Sequence, residues 1–347
     1  MAGLLVILVA ADLFTNGVEW LGRALALSAG AVGGVLAAVG TALPETIVPV
    51  VAILLTDDGI GGVTGDEIGV GAILGAPFML STVAMCVTGF AVITYRNRRR
   101  TGTTIHIDSS ALGINVRYFV LAYAIAVGAA LVPVDLALLR YAAVAAVLVI
   151  YVAYVRRHFR TEVAEADEEL APLRLRALDA LVPGRGNADR PRKPTVLVQI
   201  VLAGALMIIG AVVFVEAISQ VSLGLGLDPV LLALLIAPAA TELPETLNSV
   251  IWVRNGKDTL ALGNITGAMV FQATIPAAIG IVLASASWTL SPENSLAFAS
   301  AAIAFASTVA IFGAMALRRS LSPIHLLLGG AFYLGYVVLV ISQTVGT

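Results

Sequence analysis

Two near copies of one hexapeptide carry the residues that could do chemistry: Thr41-Ala42-Leu43-Pro44-Glu45-Thr46 and Thr241-Glu242-Leu243-Pro244-Glu245-Thr246, each inside an apolar run. A carboxylate held near a bilayer midplane costs at least roughly a few kcal/mol and so marks a pathway or a site. Proline removes a backbone donor and clashes with the carbonyl four residues earlier, so Pro44 frees the carbonyl of Gly40 and Pro244 that of Ala240. Such loosened turns survive in a membrane only where they face protein or a polar cavity. Residues four apart share a helix face, which aligns Thr41 with Glu45 and Thr241 with Glu245. Each copy thus offers a hydroxyl, a carboxylate and unpaired carbonyls at one level, and Glu242 adds a third carboxylate where the first copy has Ala42. An all-oxygen set suits a hard cation such as calcium, or magnesium or manganese, and not a thiophilic metal.

The elements that must position these groups are membrane helices. The 347 residues are 59% hydrophobic and 12% charged, and the mean hydropathy of +0.98 is far above that of a soluble domain. Apolar runs of the roughly 20 residues needed to cross a bilayer predict helices at 2–22, 29–55, 68–95, 115–133, 135–155, 195–221, 229–253, 258–286, 294–316 and 322–344. The expected fold is therefore an all-α polytopic membrane protein of ten helices. The N-terminal stretch reads as the first of these rather than a cleaved signal, because it lacks a positive leading segment. Basic residues concentrate on the cytoplasmic side of membrane proteins. Placing the RNRRR loop inside also places Arg23, the segment Arg156 to Lys193, Arg254, Lys257, Arg318 and Arg319 inside, leaves only Arg140 near an outside loop, and puts both termini outside. The chain divides into a first five-helix membrane repeat (1–155), a cytoplasmic linker with a short amphipathic helix (156–194) and a second repeat (195–347).

An offset of 200 residues superposes the halves through the repeated hexapeptide, and after it an offset of 192 places Gly71 and Gly75 on Gly263 and Gly267. These GxxxG spacings predict close helix approach. Five is odd, so the second repeat must enter the membrane from the side opposite to the first. Inverted repeats are a transporter architecture, giving two pseudo-symmetric arrangements of one helix set, each open to one side. One cysteine, Cys86, excludes an intramolecular disulfide, and three histidines in or near polar loops, His106, His158 and His325, do not build a metal centre at depth. An intramembrane metalloenzyme would need histidine or arginine beside its paired glutamates; no catalytic residue or resident cofactor is expected, nor any nucleic-acid partner.

The pattern DLFTNGVEWLGRALALSAGAVGGVLAAVGTALPE resembles the opening of the calcium/cation antiporter superfamily, and LLALLIAPAATELPE with LALGNITGAMVFQ resembles its second repeat. The resemblance implies a central divalent site of Glu45, Glu245, Thr41 and Thr241, helped by carbonyls near Ala38 and Pro238. It implies a core of the second, third, seventh and eighth helices, across which the first and sixth slide or rock. Where sodium/calcium exchangers carry side-chain oxygens for sodium, this chain has Ala42, Ala76, Pro77, Leu80, Ala268 and Met269, while the second repeat keeps Asn264 and Gln272 and gains Glu242. The metal set read from the sequence is thus Thr41, Glu45, Thr241, Glu242, Glu245 and Gln272. Three carboxylates around one divalent ion leave a formal negative charge that favours uptake of a proton, and moving the emptied, charged site would be costly. The expected function is secondary antiport of calcium or another divalent cation, with protons or sodium as counter-ion. Alternatives are sodium/proton exchange in the same cage, or a non-transporting scaffold or sensor. Asp12, Asn16 and Glu19 fall close to one face of the first helix, where an acid could line the access path. Arginine-rich, lysine-poor usage suggests a prokaryotic plasma membrane.

Overall fold

The computed structural model describes residues 2–25, 42–55, 64–107, 109–161, 171–177, 191–225, 234–235, 238, 241–318 and 321–345. Among them the chain is helical throughout, with no strand beyond a lone bridge between Ile105 and Leu321. In order, the helices are α1 (Ala2–Ala24), α2 (Pro44–Leu55), α3 (Gly65–Met79), α4 (Met85–Thr94), α5 (Ser109–Gly128) and α6 (Ala137–Thr161) in the first half. The second half has α7 (Lys193–Leu225), α8 (Leu243–Arg254), α9 (Asp258–Gln272), α10 (Ile275–Leu283), α11 (Ser295–Arg318) and α12 (Pro323–Val345). Helices α3 and α4 are one span joined through a π-helical turn at Leu80–Ala84, and α9 and α10 are one span interrupted at Ala273 and Thr274.

Among the described residues, eight spans are long and apolar enough to cross a bilayer, and they fall on eight of the ten predicted segments. The other two are described only in their second parts, α2 and α8; residues 29–41, which include Thr41 and Ala38, lie outside the described residues. The chain is a polytopic integral membrane protein, and its lipid-facing surface shows it: Leu138, Val201 and Ile324 are 69–82% exposed.

The halves interlock as pseudo-symmetric partners. The first half's long span packs on α11 and α12 of the second, and the second half's long span packs on α5 and α6 of the first. Helix α2 packs on α10 while α8 packs on α4, the same exchange again. These two spans are central, with 83% and 72% of their apolar windows buried against 11% for α6. Their interruptions match at the offset of 192, Thr82 on Thr274. The Thr82 hydroxyl donates to Phe78 O at 2.5 Å, and that of Thr274 to Val270 O at 2.9 Å. A broken helical ladder in lipid must find such partners.

Helices α1 and α7 run antiparallel in close contact: Gly3 lies against Gly210 and Phe214, and Gly17 against Gln199 and Ile200. They share an apolar cluster with α2 and Ile68 (Ile7, Ala10, Ala11, Val48, Met207, Ala211, Phe214). This cluster is separate from the large core built by α3 to α6 and α8 to α12. Residues 171–177 of the linker lie against α1 and α7. Asn16 donates to Ala171 O at 3.2 Å and accepts from Arg174 N at 3.0 Å; Trp20 donates to Ala171 O and Gln199 accepts from Leu175 N. The rest of the predicted amphipathic helix lies outside the described residues. Asp12, an acid that could line the access path, is exposed and pairs with Arg174 of the linker at 3.0 Å. Arg140, the one basic residue assigned near an outside loop, is buried: it donates to Val132 O, to Ser285 and to Trp288 O, tying α6 to the end of α10.

Candidate cation site

Glu45 occupies the first turn of α2, Glu245 the first turn of α8, and Glu242 the residue just before α8. Proline sets this placement. Pro44 opens α2 and Pro244 follows Leu243 at the start of α8, where a missing backbone N–H costs nothing. Two chain segments from opposite halves therefore meet with their N-terminal turns together. The partial positive charge of a helix N-terminus offsets part of the charge of carboxylates buried there.

All three carboxylates are buried, at 2–3% exposure, and each has an oxygen within 4.8 Å of the others. Oxygens this close can share one divalent cation, since ligands across a calcium or magnesium ion stand about 4–5 Å apart. Among the described residues, both oxygens of Glu45 and Oε2 of Glu242 are buried without a hydrogen-bond donor. Buried carboxylate oxygens left so are costly unless a cation or proton meets them.

Gln272, at the end of α9, donates from Nε2 to Glu242 Oε1 at 2.5 Å, and its own Oε1 is buried without a partner among the described residues. It both orients Glu242 and offers one more oxygen. Thr241 is buried, its hydroxyl 3.4 Å from the carbonyl of Pro238. The structure thus brings together Glu45, Glu242, Glu245 and Gln272, with Thr241 one residue before Glu242; Thr41 lies outside the described residues. Two further residues fix the cage. Ser249 donates within reach of Glu245 O (2.8 Å) and Ala261 O (3.0 Å), and Asn264 donates to Glu245 O at 3.2 Å, binding α8 to α9. Ser249 escaped the sequence reading, although its place four residues after Glu245, on the same face, was the signal. Of the positions where the resemblance leads one to expect sodium ligands, Ala76, Leu80 and Met269 are apolar and at most 3% exposed.

The sequence profile of the sodium/calcium exchanger protein family matches residues 1–159 and 195–345. The chain belongs to that family; it is a membrane cation-exchanger relative and not an enzyme. Its fold is that of a structure described as the H+/Ca2+ exchanger CAX, at 18% identity, covering 98% of this chain and 80% of that one with a TM-score of 0.70. The sodium-calcium exchanger NCX_Mj aligns with 97% of this chain and 95% of its own at a TM-score of 0.57 and 17% identity. In sequence, the candidate antiporter CaxA of Alkalimonas amylolytica is 32% identical over 96 residues, which span 27% of this chain and 30% of CaxA.

Proposed function

We propose that this protein is a secondary active antiporter exchanging calcium for protons by alternating access at the cage of Glu45, Glu242, Glu245, Gln272, Thr241 and Thr41. The observation that carries the reading is the convergence of three buried carboxylates from the two halves within 4.8 Å. Their combined charge of −3 exceeds that of one divalent ion, so the cage must not cross the membrane empty. Either a calcium ion or protons fill it on each passage, which makes the cycle an exchange rather than a leak. Protons are favoured over sodium because the flanking positions that would supply sodium ligands are buried alanine, leucine and methionine. The CAX and NCX_Mj structures, whose descriptions name proton/calcium and sodium/calcium exchange, bracket the choice.

In this cycle two inverted five-helix repeats, 1–155 and 195–347, arrange ten helices with both termini outside, and α1 with α7 slides across the core as one body. The close contact of α1 with α7, with Gly3 against Gly210 and Phe214, supports their moving together, and the α2 side chains in the same apolar cluster supply the face they slide on. The protein resides in the plasma membrane. Proteoliposomes with imposed gradients test the coupling: an outward proton gradient drives calcium uptake, whereas a sodium gradient without a pH difference does not. Uptake driven by sodium alone would overturn the proton assignment.

A further inference from the structure

Arg99, in the RNRRR loop after α4, is buried with nothing left to donate. Its Nη1 bonds Asp258 Oδ1 at 2.6 Å and Val253 O at 2.7 Å. Nη2 bonds Asp258 Oδ2, Thr101 and Thr104 O, and Nε bonds Gly102 O. Asp258 also accepts from His106 N at 2.9 Å. A buried pair satisfied at every donor fixes geometry more than it adds stability. Here it nails the loop of the first repeat onto the α8–α9 turn of the second.

That frame presents the other arginines outward. Arg98, Arg100 and Arg254 are exposed and line a cavity of about 580 Å³ between the two segments, with no carboxylate in its wall among the described residues. Arg254 is held over the Tyr95 ring at 5.8 Å, and the turn carrying it closes through Gly256 at φ 75°, a conformation glycine adopts without strain. Retaining the chain on the cytoplasmic side requires only a count of basic residues; it does not require three guanidinium groups on one rigid cavity, where they repel one another. We infer that this cavity binds a phosphate-bearing anion. Arginine forks match phosphate oxygens in shape and charge, and basic pockets at this level of a membrane protein suit phospholipid headgroups.

The full-length protein in nanodiscs or detergent tests this. Probes are phosphatidylglycerol, phosphatidylcholine and inorganic phosphate, read by thermal unfolding and by retained lipid in native mass spectrometry. Expected is saturable stabilisation by phosphatidylglycerol over phosphatidylcholine, with apparent affinity reduced at least about tenfold in the Arg98→Gln/Arg100→Gln/Arg254→Gln variant. A lysine triple variant at the same positions retains part of the binding. Stabilisation by inorganic phosphate alone, lost in the glutamine variant, assigns the same site to a soluble phosphate. Calcium binding at the carboxylate cage, unchanged in both variants, shows that they fold. Equal binding of all probes to wild type and variant, or no binding of either anion, overturns the inference.

Discussion

At the scale of single residues, Gln272 and Glu242 make a pair that the sequence only half revealed. Both were visible as polar exceptions in apolar runs, and both were read as ligands; that one donates to the other depends on a contact 30 residues apart. A partner that orients a metal ligand typically accounts for 10–100-fold in affinity. Gln272→Leu is therefore expected to weaken calcium binding by about that factor, measured by titration of the purified protein. Glu242→Gln keeps two carboxylates, enough to neutralise one divalent ion, so it should bind calcium more weakly without losing it. Glu45 and Glu245 were legible because each recurs behind a proline at an offset of 200. Ser249 was not, because a serine within a helix is usually a back-bonded bystander and only packing shows that it also reaches α9.

Among elements, the matched GxxxG spacings looked equivalent, and the structure separates them. A Cβ on Gly75 would stand 2.6 Å from the backbone oxygen of Leu234, whereas one on its partner Gly267 would meet only the Tyr154 hydroxyl at 3.2 Å, and nothing described lies near one on Gly263. Gly75→Val should therefore destabilise by about 1–3 kcal/mol through forced backbone shift, while Gly263→Ala should be nearly neutral; thermal unfolding of the two variants checks the contrast. Spacing alone cannot tell which glycine faces backbone, since that depends on the neighbour. The linker teaches the same lesson. Asn16 lies about 12 Å before the end of α1 at 1.5 Å per residue, and irregular backbone at that depth needs protein partners. Its bonds to Ala171 and Arg174 supply them. Asn16→Ala leaves buried groups unpaired, each costing about 1–3 kcal/mol, and should expose residues 171–177 to limited proteolysis; unchanged cleavage would contradict the anchoring role. Gln199 was discoverable as the lone polar residue in VLVQIVLAGALM, but its meaning required knowing what approaches it.

Over the whole molecule, an odd number of helices per repeat is what makes inversion an expectation of the sequence alone, because parity and basic-residue placement are properties of order. What order could not give is the exchange of partners between halves, each long central span packing on the terminal helices of the other, since such contacts join residues more than a hundred positions apart. This interlocking brings the opening turns of α2 and α8 close enough to gather Glu45, Glu242 and Glu245 within 4.8 Å. The central claim is that Glu45 and Glu245, one from each half, jointly hold the transported cation. Radioactive calcium uptake into proteoliposomes, under a gradient that drives the wild type, tests it with Glu45→Gln and Glu245→Gln: both variants should fall to the level of protein-free liposomes while reconstituting normally, and wild-type uptake by either would contradict the account.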